Sequence, residues 1–341
     1  MSIDAPAVAA EVLVVIPTLN EARGIAAVIA RLLEDPPPRV RLGIVVADGG
    51  STDGTVETVR RLAAREPRLH YLHNPRRIQS AAVNLAAQCF GADADVLVRC
   101  DAHAVYPRGY VRRLLETLDR TQADAVVVPM DSHGETCFQR AVAWVSNTWA
   151  GTGGSAHRGG RQSGDVDHGH HAAFRMASFR RAGGYDESFT HNEDAELDCR
   201  QRALGSRIYL DAGIRLRYQP RATLRGLARQ YFNYGRGRSR TVRRHPGSMR
   251  ARQLALPVNL LGMGVYILLA WKLPLLLLWP VAYALALLLN SLLIAVRQRS
   301  ACGLLAGVAA AAMHTAWGAG FIAGLMLIRE PPWQRAPMLA A

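Results

Sequence analysis

Two groups of carboxylates follow short apolar segments of the chain. Asp48 lies in VVADGGSTDGT and Asp101 lies in VRCDAHAV, each at the end of a β-branched run. Loops that leave the carboxyl ends of buried parallel strands carry polar groups that the strands cannot, and open α/β sheets bind ligands there. We therefore expect these loops to hold a nucleotide and a metal ion.

The turn after Asp48 is rich in residues that bend the backbone. Glycines at 49, 50 and 54 permit a sharp turn close to a ligand. Asp48 is then expected to be free to accept hydrogen bonds from a base N–H or a ribose hydroxyl. The alternative is an ordinary strand-to-helix turn with a good helix cap. A Walker loop is excluded because the GK[ST] ending is missing, and the GxGxxG pattern does not fit.

The tripeptide Asp101-Ala102-His103 places two metal-ligand types on one side of an extended backbone, because side chains alternate with period two. A divalent cation held there would neutralise charge on a leaving diphosphate. Imidazole beside carboxylate favours Mn²⁺, with Mg²⁺ as the alternative. The competing interpretation is a solvated turn.

A third cluster, His191-Asn192-Glu193-Asp194, continues to Glu196 and Asp198. Adjacent carboxylates repel each other and raise the pKa of one of them, which can then act as a base near neutral pH. The alternative is an acidic first turn of a helix. The preceding GGYDESF context favours the functional interpretation.

Two further groups of residues invite interpretation. Arg236 and Arg238 stand beside aromatic residues and can clamp a diphosphate through forked hydrogen bonds, or belong to a plain juxtamembrane helix. The histidines at 168, 170 and 171 are not expected to form a zinc site, because adjacent histidines in a strand face opposite ways and no soft ligands lie nearby.

The elements that must position these residues alternate between strand and helix from Val12 to Pro129. This alternation predicts a mainly parallel sheet with right-handed crossovers and helices on its faces. The order blurs from Ser132 to Asp167, where residues 151–164 are too glycine-rich for an element interior. This mobile loop is either a linker or a flap over the substrate.

The C-terminal part predicts a membrane region at residues 254–328, followed by a tail at 329–341. Three apolar blocks approach the roughly 20 residues that a helix needs to cross a bilayer, so two or three crossings are expected: Leu254–Trp271, Leu273–Val296 and Ala301–Ile328. The start of the chain lacks a secretory signal, which places the N-terminal domain in the cytoplasm.

The net charge of +14 is concentrated at residues 215–252, ahead of the apolar blocks. Attraction to anionic lipid headgroups explains that placement. No pattern of a nucleic-acid-binding module accompanies the charge, so we expect no nucleic-acid partner. Five cysteines at scattered spacings predict neither a disulfide framework nor a zinc ribbon.

Five motifs, in order, resemble glycosyltransferase family 2 with its GT-A fold: VVIPTLNEARGI, VADGGSTDGT, VRCDAHAVYP, RRAGGYDESFTHNEDAELDCR and QYFNYGRGRSRT. The likeness covers about residues 12 to 250 and is greatest to the succinoglycan-biosynthesis type of bacterial exopolysaccharide glucosyltransferase. It implies a Rossmann-like GT-A domain at residues 1–250, followed by transmembrane helices.

The resemblance also implies roles for individual residues. The nucleotide pocket would be lined by Pro17, Asn20, Glu21 and Asp48. Asp101 and His103 stand at the family's Asp-x-Asp metal motif, with histidine as a departure. Asp194, beside Glu193, would be the general base of an inverting displacement. Arg236 and Arg238 would steady the diphosphate, while the QxxRW signature of processive synthases is absent.

The implied activity is transfer of a hexose, glucose from UDP-glucose, to a lipid-linked oligosaccharide at the cytoplasmic face of the bacterial inner membrane. One alternative is a polyprenyl-phosphate glycosyltransferase of the dolichol-phosphate-mannose-synthase kind. Another is a noncatalytic assembly subunit that only binds the sugar nucleotide. The set of Asp48, Asp101 and Asp194 argues against the latter.

Overall fold

The computed structural model describes residues 10–34, 39–153, 161–330 and Trp333. Its strands are β1 (Ala10–Thr18), β2 (Val40–Asp48), β3 (Leu69–His73), β4 (Val96–Arg99), β5 (Ala125–Val127), β6 (Met130–Ser132), β7 (Gly164–Asp165), β8 (His171–Arg175), β9 (Ile208–Leu210) and β10 (Leu216–Tyr218).

The α-helices are α1 (Ile25–Leu33), α2 (Thr55–Ala63), α3 (Gln79–Phe90), α4 (Tyr110–Thr121), α5 (Cys137–Ser146), α6 (Trp149–Thr152), α7 (Met176–Arg181), α8 (Glu193–Ala203), α9 (Leu224–Arg244), α10 (Ala251–Leu269), α11 (Leu278–Arg297) and α12 (Ala306–Leu327). Short 3₁₀ helices span Pro246–Ser248, Pro274–Leu277 and Ala301–Leu305.

The main sheet has the strand order β3-β2-β1-β4-β8-β5-β9-β7. Strands β1 to β4 are parallel to one another, and β5 pairs with β9 in parallel. Strand β8 runs antiparallel to β4 and β5, and β7 runs antiparallel to β9. The predicted mainly parallel sheet is therefore confirmed. Since β2, β1 and β4 are neighbours, the loops after their carboxyl ends meet at one edge of the sheet.

Both faces of this sheet are buried. Alternate residues of β1 point to opposite faces, so Val14 packs toward α1, α2 and α4, while Val15 packs toward α3, α7 and α8. Because both sets are apolar, β1 is a nearly continuous hydrophobic run. Burial on both faces holds the strand ends, and hence their loops, in fixed positions.

The chain forms two compact units. The first unit contains the described residues up to Met130, those from 161 to Tyr218, and Trp333; the second contains those between Asp131 and Gly153 and between Gln219 and Glu330. The predicted boundary near residue 250 thus differs from the structure. The physical reason is that α9 packs along α12 and therefore belongs with the apolar helices.

Part of the predicted loop at 132–167 is helical. Helix α5 begins with a capping box, in which the Thr136 hydroxyl accepts from the Gln139 N–H and the Gln139 side chain accepts from the Thr136 N–H. This Thr-x-x-Gln signal is present in the sequence and was overlooked. The glycine-rich loop predicted at 151–164 falls partly outside the described residues, which omit 154–160.

The second unit contains three helices that are long and apolar enough to cross a membrane: Ala251–Leu269, Pro274–Arg297 and Ala301–Leu327. These helices indicate a membrane-associated protein. The second unit also contains a single disulfide, between Cys137 and Cys302, which the scattered spacing of the cysteines did not predict. Their separation of 165 residues leaves no spacing signal to reveal the pair.

Candidate active site

The loops after β1 and β2 are joined by hydrogen bonds at the edge of the sheet. The Asn20 N–H donates to the Ser51 hydroxyl at 2.7 Å, and the Asn20 side-chain oxygen accepts from the Thr52 N–H at 2.9 Å. The Glu21 N–H donates to the Thr55 hydroxyl at 2.9 Å. Two motifs far apart in the chain thus form one rim at the edge of the sheet. The nucleotide-binding role of Asn20 and Glu21 stays a prediction.

The side chain of Asp48 holds its own turn together. It is fully buried, and one oxygen accepts from the N–H groups of Gly50 and Ser51 at 2.8 and 2.9 Å. The other oxygen accepts from the Ser51 hydroxyl at 2.5 Å. The Asp48 carboxylate is therefore engaged by its own loop, since a buried polar group takes the nearest donors. Its contact with a nucleotide stays a prediction.

His103 and Glu21 form a contact between the loops after β4 and β1. The His103 Nδ1 lies 2.9 Å from Glu21 Oε1, and the imidazole is about half exposed. Both residues lie on the predicted nucleotide and metal side of the sheet. The structure thus brings Glu21 and His103 together, and the metal-binding role of His103 stays a prediction.

Arg99, the last residue of β4, connects Asp101 with Asp194. Its side chain is only 4% exposed, with Nη1 2.6 Å from Asp194 Oδ1 and Nη2 3.4 Å from Asp101 Oδ1. The Tyr185 hydroxyl donates a further hydrogen bond to Asp194 at 2.8 Å. Two carboxylates 93 positions apart in sequence therefore share one site.

Burial and neighbouring charges shift the pKa values of the two carboxylates at the start of α8 in opposite directions. Burial, and next the charge of Asp194, raise the pKa of Glu193 to about 7. Burial also raises the pKa of Asp194, but Arg99 outweighs it and holds that pKa well below its usual range. A proton acceptor works best with a pKa near the operating pH, so the electrostatics favour Glu193 for this task.

The remaining carboxylates of this cluster have structural partners. Glu196 is fully buried and forms an ion pair of 2.6 Å with Arg200, which also donates to the carbonyl of Gly184 at 2.8 Å. This pair secures the first turns of α8 and keeps Glu196 away from solvent. The acidic run thus divides into residues that serve the site and residues that hold the helix.

Asp101 also faces a histidine from the loop that leads into β8. Its Oδ2 lies 3.5 Å from the Nε2 of His170. Burial raises the pKa of Asp101, but Arg99 and then His170 lower it further than burial raises it, so the carboxylate stays ionised. Ligand atoms on an octahedral ion are about 3 Å apart, so this pair fits one divalent cation.

Among the described residues, no group of three or more His, Cys, Asp or Glu side chains is arranged to hold a metal ion by itself. Mg²⁺ and similar ions commonly take one or two protein ligands and complete their shell with water and substrate phosphates. An incomplete pair of Asp101 and His170 suits an ion that arrives with a nucleotide diphosphate. A carboxylate with an imidazole is a donor set compatible with Mn²⁺.

The two histidines on either side of His170 hold a different carboxylate. His168 Nδ1 and His171 Nε2 lie 2.6 and 2.5 Å from the two oxygens of Asp198, which is 1% exposed. Burial lowers the pKa of His171, but Asp198 outweighs this and raises it overall. Asp198 therefore fixes the short segment that carries His170.

Replacing Asp198 by asparagine is expected to displace His170. Loss of one partner from a buried ion pair costs about 3–5 kcal/mol, and loss of an orienting residue behind a metal ligand costs about 10- to 100-fold in metal affinity. The melting temperature and Mn²⁺ binding by electron paramagnetic resonance, without donor, measure both effects. The matched control is Asp165→Asn, because the Asp165–Arg207 pair is exposed. Wild-type Mn²⁺ affinity in Asp198→Asn would contradict this positioning role.

The predicted diphosphate clamp lies in the second unit. Arg238 is half-buried and donates to Gln253 Oε1 from Nε and Nη2 at 3.2 and 3.1 Å, whereas Arg236 is exposed. Arg238 also donates to the Ser248 carbonyl. The role of both arginines toward a diphosphate stays a prediction.

Sequence reasoning missed three residues of this site: Arg99, His170 and Asp198. A charged residue inside the buried strand β4 and three histidines within four positions were signals for the first two. The histidines were considered only as zinc ligands, and not as partners of Asp101 and Asp198. No local signal marks Asp198 as their partner.

Comparisons with known proteins show the family of this chain. The model of the family "Glycosyl transferase family 2" matches residues 13–183. The succinoglycan biosynthesis protein ExoA of Rhizobium meliloti is 46% identical over 322 residues, covering 93% of this chain and 96% of that protein. An undecaprenyl-phosphate mannosyltransferase of Micrococcus luteus is 30% identical over 143 residues, covering 41% of this chain and 57% of that protein.

Two solved structures share the fold. The mannosyltransferase PcManGT from Pyrobaculum calidifontis, in complex with GDP-Man and Mn²⁺, has a TM-score of 0.58 and 22% identity, covering 94% of this chain and 89% of that chain. GalNAc-T7 with UDP, GalNAc and Mn²⁺ has a TM-score of 0.50 and 15% identity, covering 69% of this chain and 48% of that chain. These likenesses confirm the GT-A type of fold.

Proposed function

The chain belongs to glycosyl transferase family 2 and is a glycosyltransferase, and we propose that it transfers glucose from UDP-glucose to a lipid-linked oligosaccharide with inversion. The observation that carries the proposal is the Arg99 side chain, which holds Asp101 and Asp194 in one site. A nucleotide-sugar transferase requires a cation-binding carboxylate, here Asp101, and a base, here Glu193 next to Asp194.

The proposed reaction is a single displacement. The acceptor hydroxyl oxygen attacks the anomeric carbon, the bond from that carbon to the diphosphate oxygen breaks, and the nucleoside diphosphate leaves with the bond's electrons. Glu193 takes the hydroxyl proton, because its pKa of about 7 suits a base at neutral pH. The sequence analysis expected Asp194 in this role. Held by Arg99 and Tyr185, Asp194 instead raises the pKa of Glu193 and orients the start of α8.

Donor and cation are assigned by class. The rim formed by Asn20 and Glu21 would bind the nucleotide with Pro17 beside it, and Asp101 with His170 or His103 would hold a divalent cation, Mn²⁺ or Mg²⁺. When bound, such a cation neutralises the charge that develops on the leaving diphosphate. The GDP-Man and Mn²⁺ complex of the mannosyltransferase with the same fold supports this class of ligands.

The acceptor and compartment follow from the apolar helices and the relative. ExoA is named for succinoglycan biosynthesis, which supports a role in bacterial exopolysaccharide biosynthesis. A lipid-linked acceptor would explain why a transferase carries helices suited to a bilayer. We place the protein in the inner membrane with the first unit in the cytoplasm. Arginines flank the apolar segments, and the positive-inside bias places arginine-rich ends of such segments in the cytoplasm.

A second candidate is transfer to a polyprenyl phosphate, favoured by the 30% identity to an undecaprenyl-phosphate mannosyltransferase. A phosphate acceptor is already ionised and needs no base. Replacing Glu193 by glutamine would then leave the rate nearly unchanged, whereas it is severe in the proposed mechanism.

Turnover with defined donors and acceptors tests the proposal. Purified full-length protein in detergent, with Mn²⁺ and a bacterial lipid extract, is expected to release nucleoside diphosphate faster from UDP-glucose than from UDP-galactose or GDP-mannose. Mass spectrometry of the lipid product distinguishes a glycosylated oligosaccharide from a sugar linked directly to polyprenyl phosphate. The absence of turnover with every donor would favour a noncatalytic assembly subunit.

A further inference from the structure

We propose that two of the three apolar segments cross the membrane, α10 and Pro274–Arg297, and that α12 stays on the side that holds the first unit. The proposal concerns the membrane surface of the protein and is independent of the sugar, the acceptor and the base.

The first argument comes from the two ends of the helical region. The chain leaves the first unit at Tyr218 and has rejoined it at Trp333, whose ring lies 4.5 Å from the guanidinium of Arg200. Helix α12 ends at Leu327, six residues earlier. Six extended residues reach about 20 Å, which is less than the hydrocarbon thickness of about 30 Å. The end of α12 is therefore on the first unit's side, and the number of crossings is even.

Helix α9 cannot enter the hydrocarbon of the bilayer. It carries seven arginines in 21 residues. Each arginine near the middle of a bilayer costs about 2.5–3.5 kcal/mol even on scales that allow for snorkelling. Helix α9 therefore lies outside the hydrocarbon.

Helix α12 is bound along the length of α9. A Cβ added at Gly235 of α9 would collide with the backbone of Trp317, and one added at Gly320 of α12 would collide with the backbone of Phe232. Such contacts require the two helix backbones to touch. Beyond the end of α12, Glu330 forms ion pairs with Arg240 at 2.7 Å and with Arg244. Helix α12 also touches the backbones of α10 at Leu256 and of α11 at Leu287, but the ion pairs of Glu330 tie its end to the arginines of α9, so we place α12 with α9 outside the hydrocarbon.

The other two apolar segments have the opposite surroundings. In the most apolar 18-residue stretch of each segment, only 6% is buried inside the protein for α10 and 11% for Pro274–Arg297. The corresponding stretch of the segment that contains α12 is 44% buried. Leu268 and Val296 are 73% and 75% exposed, which in water would be an uncompensated exposure of apolar surface. Lipid acyl chains are the partner that fits surfaces of this length and composition.

The charged and aromatic residues at the ends of these segments agree with a hairpin. The turn between them carries Trp271, which is 78% exposed, with the Lys272 ammonium 5.0 Å from its ring. Tryptophan and a snorkelling lysine are typical of a membrane–water interface. The opposite ends carry four arginines, which the positive-inside bias places in the cytoplasm: Arg250, Arg252, Arg297 and Arg299.

Cysteine labelling of the full chain in intact bacterial cells tests the topology. Lys272→Cys is expected to react with a membrane-impermeant maleimide added outside. Arg329→Cys, at an exposed position after α12, is expected to react only after the cells are permeabilised. The wild-type chain, whose exposed Cys89 lies in the first unit, is the background control. Green fluorescent protein is expected to fluoresce when fused after Ala341 and also when fused before Met1.

The outcomes separate this proposal from the proposed function. Labelling of both variants from outside would mean three crossings and would overturn the proposal, as would labelling of neither. A third outcome is that Arg329→Cys and wild-type Cys89 are labelled from outside while Lys272→Cys is not. This outcome would support two crossings and would contradict only the placement of the first unit in the cytoplasm. Because the fusion leaves every native residue in place, it decides the result even where a cysteine variant does not fold.

Discussion

Replacing Glu193 by glutamine is expected to lower kcat by about 10²- to 10⁴-fold, which is the usual contribution of a positioned general base. Glutamine keeps the shape of the side chain but accepts no proton. The binding of Mn²⁺ and of UDP-glucose should stay within about twofold, because Glu193 is not among the candidate ligands of either. Steady-state kinetics with the lipid acceptor and direct titration of Mn²⁺ measure the two quantities.

The pH dependence adds an independent readout of the same group. A base must be deprotonated to act, and the pKa of Glu193 is raised to about 7. The rate constant kcat/KM should therefore rise with pH and level off above about 7, falling about tenfold per pH unit below it. The Glu193→Gln variant should lack this limb, while Glu57→Gln, a change at an exposed glutamate, should retain it.

The variant Asp194→Asn distinguishes the two carboxylates. Asp194 raises the pKa of Glu193 through its charge, so its neutralisation should move the limb to lower pH. It also leaves the buried Arg99 without its 2.6 Å partner, which should lower stability. If the limb vanishes in Asp194→Asn and persists in Glu193→Gln, the role of base belongs to Asp194, as the motif alone suggested.

The second large effect is expected for Asp101→Asn. Loss of a metal-binding carboxylate removes several kcal/mol of charge stabilisation from the transition state, which corresponds to about a thousandfold in kcat. The variant should also lose Mn²⁺ binding in electron paramagnetic resonance spectra recorded without a nucleotide. Unchanged Mn²⁺ binding would remove Asp101 from the cation site.

The same spectra can decide which histidine accompanies Asp101. His170 lies 3.5 Å from the Asp101 carboxylate, whereas His103 is held by Glu21. We therefore expect His170→Ala to weaken Mn²⁺ binding more than His103→Ala does. Equal losses would mean that both imidazoles bind the ion, and a larger loss in His103→Ala would favour the ligand pair expected from the Asp-x-His motif.

Much of the first unit could be predicted from local patterns. The strand from Val12 to Ile16 and the helix at Thr55 both lie where hydrophobic periodicity put them, because burial selects residues every two positions in a strand and every three to four in a helix. Helix α5 was not predicted, although its capping box can be recognised in the sequence. Its glycine-rich surroundings outweighed that signal.

The site was harder to predict because its partners come from distant segments. Arg99 and Asp194 are 95 positions apart, and Asp48 turned out to be occupied by its own loop. A motif records which side chains are available near a strand end. It does not record which of them neutralise one another before a ligand arrives.

From the order of its residues alone, this chain determines a mainly parallel sheet, carboxylates at the strand ends and apolar helices that follow, because each depends on side chains close in sequence. Only the tertiary structure decided that His170 faces Asp101 and that α12 lies against α9. It also decided that Arg99 lies beside Asp194 and makes the pKa of Asp194 differ from that of Glu193. Those outcomes depend on which surfaces meet when the chain packs, and the free energy of a buried charge or a helix contact is set by neighbours from other parts of the chain.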